Sequence, residues 1–342
     1  MYPETLRIEG TQLPYFRTPE FGDLMKESER WFLESLNAPE GASFIGLTSS
    51  GTGAMDAAVS NLLSEEDKVL VINGGSFGAR FSHICDHYGI PHEDYMIPFL
   101  HAFDREEFEK YSGKEFTALL VNACDTSTGQ LYDLDYLGDF CERNGMLFIV
   151  DAVSAYLADH IDMQSQHIDA VLTASQKALA LSPGAALVCL GEKALERVGR
   201  GKRAYYFDFA DYLENQKRGQ PPFTSAVGTM LALHERLKTV NEKGIDAMNA
   251  LHADRASYFR SALRELPLQM PDIPLSNSCT PVLFPERNAT EVYEALSAKY
   301  GIYLTPSGGD WKDIQLRVGH LGNLDTEDYD DLIEKLKGEL VI

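Results

Sequence analysis

The chain is short of positive charge. Its 342 residues carry 30 Lys and Arg against 52 Asp and Glu, a formal net charge of −22. Phosphate backbones select basic faces, so this balance argues against nucleic-acid binding. It also disfavours attraction to anionic lipid surfaces, and a charge of this size serves solubility. Long apolar runs are missing too, since no stretch approaches the ~18 residues that a membrane-spanning helix needs. The opening MYPETLRIEGTQLPYF has no basic segment followed by an apolar run, so no signal peptide is expected. Cysteine is sparse. Cys85, Cys124, Cys141, Cys189 and Cys279 are scattered, odd in number and without a CxxC pair. That pattern fits reduced thiols in a cytoplasm rather than a disulfide framework or a zinc site. His83 and His87 lie one helical turn apart, but no Glu stands between them in the metalloprotease pattern and no third ligand is near. No metal site is expected from them.

What is present suits a large core. Apolar residues make up 44% and charged residues 24%, and the length fits about two domains. FGDLMKESERWFLESLN puts Phe21, Leu24, Met25, Ser28, Phe32 and Leu36 near one face of an amphipathic helix. From about residue 44 to 190, short apolar runs alternate with helical patterns and glycine-bearing turns. The runs are Phe44–Leu47, Val69–Asn73, Ala118–Val121, Met146–Val150, Ala170–Leu172 and Ala185–Leu190. Several are apolar throughout, as strands buried on both faces of a parallel sheet are. Segments such as AMDAAVSNLL and LDYLGDFCERNG are long enough to be crossover helices, so this part is an α/β layered domain. Residues 200–228 are less regular and carry RGQPPFTS, a loop composition. From about 229 a long helical stretch leads into a second α+β pattern. Strands are expected near Pro281–Phe284 and Ile314–Val318, and helices near Thr290–Tyr300 and Thr326–Lys337. The expected division is an N-terminal segment over 1–20, a large α/β domain over 21–228, and a linking helix with a smaller C-terminal α+β domain over 229–342.

Ligands of open α/β sheets bind beyond the carboxyl ends of the strands. After Phe44–Leu47 come Ser50, Gly51 and Thr52 and then a helix start. Free N–H groups, the helix dipole and a glycine make such a turn an anion site, although Ser and Thr there also serve as plain caps. The loop fails as a dinucleotide fingerprint, because Asp56 stands where the third glycine belongs, and it lacks the GKS or GKT of a P-loop. Asp151 follows Met146–Val150. It either caps the next segment or pairs with a buried cation, because a lone buried carboxylate is costly. Lys177 follows Ala170–Leu172 among small residues. It either faces solvent or sits desolvated, with a lowered pKa that suits Schiff-base chemistry. A phosphate cradle, an acid for a pyridinium and a lysine for an aldehyde are together what pyridoxal phosphate needs from a protein.

FRTPEF, TSSGTGAMDAA, NGGSFGARF, DTSTGQLYDL, VDAVSA, ASQKALALSPGAALV and RVGHLGNL follow one another in that order from about Phe16 to about Leu324. In these motifs the chain resembles the class V aminotransferases among the fold-type I pyridoxal-phosphate enzymes, close to the alanine/serine–glyoxylate aminotransferase group. The resemblance implies a mostly parallel seven-stranded sheet sandwiched by helices, plus a smaller α+β domain. It implies that Ser50, Gly51 and Thr52 hold the cofactor phosphate, with Gln176 also in contact with it. Phe77 would stack on the pyridine ring, Thr126 would lie near the ring hydroxyl, and Asp151 would pair with the ring nitrogen. Lys177 would carry the cofactor as a Schiff base, and Arg317 would bind the substrate carboxylate with its forked guanidinium. Thr224 matches the position by which a neighbouring subunit reaches the phosphate, so a homodimer with shared sites is implied. Pro221 stands where some relatives carry a tyrosine, and IEGTQLPYF replaces the usual glycine-proline start.

The activity so implied is transfer of an amino group from alanine or serine to glyoxylate or pyruvate. Competing readings are 2-aminoethylphosphonate–pyruvate transamination and a cysteine desulfurase or lyase on the same fold. The desulfurase reading is disfavoured by Gln176, where those enzymes usually have histidine, and by the absence of a cysteine in a flexible glycine-rich loop. A cofactor-binding protein without turnover and a nucleotide dehydrogenase are further alternatives. Lys177, Asp151 and Arg317 together count against the first, and the failed dinucleotide pattern counts against the second.

Overall fold

Each apolar run of the sequence becomes a strand of one sheet in the computed structural model, which describes residues 1–201 and 204–340. In chain order, α1 (Pro3–Glu9) and α2 (Pro19–Ser35) precede β1 (Ser43–Leu47). Next come α3 (Gly51–Leu62), β2 (Val69–Asn73), α4 (Gly78–Tyr88) and β3 (His92–Met96). A short α5 (Arg105–Phe108) leads to β4 (Ala118–Asn122) and to a small hairpin of β5 (Cys124–Asp125) and β6 (Gln130–Leu131). Then follow α6 (Leu134–Asn144), β7 (Leu147–Asp151), β8 (Ala170–Ala174), β9 (Ala186–Leu190), α7 (Glu192–Leu195) and α8 (Phe209–Gln216). The rest is α9 (Val227–Lys243), α10 (Ile245–Leu263), β10 (Cys279–Leu283), α11 (Ala289–Tyr300), β11 (Thr305–Pro306), β12 (Gln315–Gly319) and α12 (Thr326–Leu340).

The large sheet has the order β1-β9-β8-β7-β4-β2-β3. Neighbours from β8 to β3 pair in parallel, and β9 runs antiparallel to both β8 and β1. The strand period of two splits its side chains between two cores. Leu70, Leu119, Val121, Phe148 and Val150 face the core that also holds Phe32 of α2 and Phe140 of α6. Val69, Val71, Ala118, Leu147 and Ile149 face the core that holds Met55 of α3 and Phe81 of α4. Helices therefore cover both faces, which is why the central strands are buried at every position and apolar nearly to their ends. Each fully buried Leu, Ile, Val or Phe stabilises the fold by roughly 1.5–3 kcal/mol.

The helix boundaries follow from capping. Thr18 caps α2, accepting a bond from the Phe21 N–H, with Pro19 in the first turn. Asp133 caps α6, and Gly145 ends it in the left-handed region at φ 65°. The long helical stretch expected after residue 229 is two helices, broken at Gly244. Gly244 sits at φ 83° and ψ 150°, a conformation that a continuous helix does not contain. Pro3 starts α1 in a region whose sequence pattern is irregular. A third core, with Phe259, Leu263, Val282, Leu316 and Leu336 in it, lies between the three-stranded sheet β10-β12-β11 and helices α10, α11 and α12.

Candidate active site

The parallel strands deliver their following residues to one edge of the sheet, and a cleft of about 580 Å³ opens there. Ser50, Gly51 and Thr52 start α3 after β1, and Phe77 stands at the start of α4 after β2. Thr126 follows β5, Asp151 is the last residue of β7, and Gln176 and Lys177 lie just beyond β8. All eight line the cleft, together with Met55, Arg80, Cys124, Val153 and Ser154. Arg317 of β12 does not itself line the cleft but reaches its edge from the smaller sheet, donating through Nη1 to the carbonyl of the lining residue Thr126 (2.6 Å) and through Nη2 to the Pro306 carbonyl (3.1 Å). Its buried Nε has no partner among the described residues, so part of the guanidinium fork is left to meet a ligand. Thr224 is exposed and does not line the cleft of its own chain.

At the start of α3 the Ser50 side chain makes no capping bond, and the first N–H groups of the helix have no partner within it. Gly51 lets the helix press against the strand-end loop of Asp151: a Cβ there would come within 2.7 Å of Val153 Cγ2. Arg80 donates to the Thr52 hydroxyl (2.8 Å), and its guanidinium lies 4.7 Å from the Phe77 ring centroid. Asp125 draws two loops together, accepting from the N–H groups of Gly78 (3.1 Å) and Ser127 (3.0 Å). The Thr126 and Ser154 hydroxyls are bonded at 2.7 Å.

Asp151 is 5% exposed. It accepts from the Val153 N–H (2.8 Å) and from Asn122 Nδ2 (2.6 Å). Burial pushes its pKa up to about 6, against the pull of those two donors and of the charges on Lys177 and Arg80. Lys177 is half-buried, and its Nζ hydrogen-bonds to no described residue. The turn after it is tight. The Ala180 N–H donates to the Lys177 carbonyl (2.8 Å), and Ala180 itself is held at φ 57°, a conformation alanine seldom adopts. Gln176 Oε1 is buried without a partner.

Three neighbours of the cleft escape the motif reading. Asn122 ends the apolar run ALLVN in register with Asp151, so a polar residue closing each of two buried runs is the signal that pairs them. Arg80 lies in the quoted motif NGGSFGARF, three residues after Phe77, close to the helical spacing that puts two side chains together. Ser154 carries no signal in the sequence, because its partner Thr126 comes from another loop. Among the described residues no three His, Cys, Asp or Glu side chains gather as a metal ion requires.

Comparison with known proteins gives the family. A family model described as Aminotransferase class-V matches residues 15–310. The soluble hydrogenase 42 kDa subunit of Anabaena cylindrica is 29% identical over 329 residues, covering 94% of this chain and 85% of its own. The alanine–glyoxylate aminotransferase of Rattus norvegicus is 29% identical over 308 residues, covering 86% and 74%. The crystal structure of an aspartate aminotransferase of subgroup IV from Thermus thermophilus superposes with a TM-score of 0.92 at 27% identity, covering 100% of this chain and 97% of that one. With a family model spanning most of its length and a sheet of the fold-type I architecture, the chain belongs to the class V aminotransferases and is an enzyme of that family.

Proposed function

We propose that the protein is a pyridoxal-phosphate-dependent transaminase. It takes the amino group of a small amino acid, alanine or serine, and gives it to a small keto acid, glyoxylate or pyruvate. The observation that carries this reading is the meeting of Lys177, Asp151 and the open start of α3 in one cleft. The residues fit the cofactor. Unpartnered N–H groups and an uncommitted Ser50 hydroxyl suit a phosphate. The Phe77 face suits a flat ring. A buried carboxyl whose ionisation is held back by burial gains a counter-charge from a protonated pyridine nitrogen. Bound pyridoxal phosphate supplies an aldehyde that condenses with amines and a ring that accepts electrons.

The chain's own groups do the rest. Lys177 Nζ removes the proton from the substrate α-carbon and delivers it again, acting as base and then as acid. Asp151 would keep the proton on the ring nitrogen, Thr126 would serve the ring hydroxyl, and Gln176 would join Ser50, Gly51 and Thr52 in holding the phosphate. Arg317, held by the Thr126 and Pro306 carbonyls, presents its free N–H groups to the substrate carboxylate. The glyoxylate acceptor is supported by the name of the rat relative. The donor differs between the rat and Thermus proteins, alanine in one name and aspartate in the other. Thr224, exposed and outside its own cleft, supports a homodimer in which each subunit completes its partner's phosphate site. The five cysteines, none in a disulfide, support a reducing cytoplasm.

The test is a panel of alanine, serine and aspartate donors with glyoxylate, pyruvate and 2-oxoglutarate, run on the wild type and on Lys177→Ala. The wild type is expected to turn over alanine or serine with glyoxylate or pyruvate and to absorb at roughly 400–430 nm, as imines of this cofactor do. Lys177→Ala is expected to lose both. An active Lys177→Ala protein with an unchanged spectrum would falsify the reading.

A further inference from the structure

We infer that Arg80 is a further phosphate-binding residue of this cleft: it fixes the Thr52 hydroxyl and brings a guanidinium charge to the start of α3. Three observations carry this, and it rests on the pyridoxal-phosphate reading above only for the identity of the phosphate compound.

The first is charge. A phosphate group brings up to two negative charges, and a helix start offers only about half a positive charge against them. Of the described residues that line the cleft only Lys177 and Arg80 are cationic; Lys177 is the amine that condenses with the aldehyde, and Arg317, outside that lining, is given to the substrate carboxylate. Arg80 is left to balance the anion. The second is its lack of a carboxylate partner. In a chain with 52 Asp and Glu, Arg80 forms no ion pair among the described residues, although many surface cations do. The third is geometry. Arg80 Nη1 donates to Thr52 Oγ1 at 2.8 Å, and the guanidinium carbon lies 4.7 Å from the Phe77 ring centroid. A hydroxyl that accepts from a cation has its own proton free to donate, and that proton is made a stronger donor. The Thr52 O–H is therefore available to an anion at the helix start. One fork also has donors enough to hold Thr52 and reach a second acceptor, which a single ammonium does poorly.

The competing role is structural, with Arg80 merely packing Phe77 and α4. Cofactor-free wild type, Arg80→Gln and Arg80→Lys are compared in two binding measurements. Inorganic phosphate is titrated by calorimetry. Pyridoxal phosphate and phosphate-free pyridoxal are titrated by the imine absorbance formed with Lys177. Arg80→Gln is expected to weaken inorganic phosphate and pyridoxal phosphate by roughly ten- to hundredfold, while pyridoxal affinity stays within about twofold, as the loss of a contact made only to phosphate requires. Arg80→Lys is expected to fall between the two. Equal losses for pyridoxal and pyridoxal phosphate would assign Arg80 a structural role and overturn the inference, as would unchanged phosphate affinity in Arg80→Gln. If Arg80→Gln does not fold, Arg80→Lys decides: wild-type affinity for both phosphate compounds then overturns it. A wild type that binds inorganic phosphate through Arg80 but forms no imine with either aldehyde upholds Arg80 as a phosphate ligand and removes the cofactor reading instead.

Discussion

Asp151 ends a strand whose other residues are all apolar and closed to water. Two donors hold it, yet burial still leaves its pKa at about 6 against an ordinary 3.8. In the cofactor-free protein an acid of raised pKa contributes stability that is fully present below about pH 4 and is lost as pH rises through about 6. A shift of this size corresponds to on the order of 3 kcal/mol. Asp151→Asn removes the ionisation, and Asn122 Oδ1, buried without a partner, can accept from the new amide if Asn122 turns over. Urea unfolding of cofactor-free protein should therefore find the variant gaining on the wild type as pH goes from 4.5 to 7, by about 2 kcal/mol. With an amino acid and a keto acid supplied, the same variant should lose most of its turnover, because a neutral amide no longer holds the ring proton. A stability difference that is flat with pH would show that Asp151 is not the buried acid described here.

Helix α4 shows at the scale of an element how the fold serves the cleft. Its first residue, Gly78, packs on the end of β2: a Cβ would lie 2.6 Å from the Ile72 carbonyl oxygen and 2.8 Å from Asn73 Cα. Backbone cannot give way as a side-chain tip can, so Gly78→Ala should shift the start of α4, which carries Phe77 and Arg80, at a cost of about 1–3 kcal/mol. Gly89 ends the same helix at φ 64° with open space around it, so Gly89→Ala should cost roughly 1–2 kcal/mol of backbone strain alone. Cofactor affinity should fall in the first variant and hold in the second. Equal affinity in both would mean that the position of α4 does not matter to the site. The sequence shows α4 and its site neighbours unevenly. β2, β4, β7, β8 and β9 are legible because burial at every position makes them apolar save for a polar residue at or near the end of all but β9. β3 is not, because HEDYM is an edge strand pairing only with β2 and partly open to water. The residues following strands, from Ser50 to Lys177, are legible because small residues, an acid and a lysine are out of place there. Arg80 and Asn122 are not, because a polar residue on a helix or at a strand end looks like surface until folding supplies its partner.

At the scale of the whole molecule, the sheet order sets which residues one chain brings to the site. The cleft is assembled from the ends of β1, β2, β7 and β8 and from the hairpin strand β5, and Arg317 of the smaller sheet bonds to the carbonyl of Thr126 at its edge. Thr224 lies outside it on an exposed loop. Beside that loop Tyr206 stacks on Phe223 with centroids 5.0 Å apart, and Tyr205 is 86% exposed. Aromatic rings left open in this way are costly in water and favour a partner surface. If a second copy covers them and brings Thr224 to the phosphate, sedimentation should give about twice the 38.1 kDa chain mass. Tyr205→Glu should then weaken the dimer by placing a charge in its interface, and it should raise the pyridoxal phosphate Kd in step with dissociation. Thr224→Ala should raise that Kd while leaving the dimer intact, by about 1–2 kcal/mol for one lost hydrogen bond to a charged group. Binding measured across a dilution series separates the two variants, because only the interface variant should become concentration-dependent. A monomer that holds the cofactor as tightly at the lowest concentration as at the highest would show that one chain completes its own site, and the part assigned to Thr224 would then be wrong.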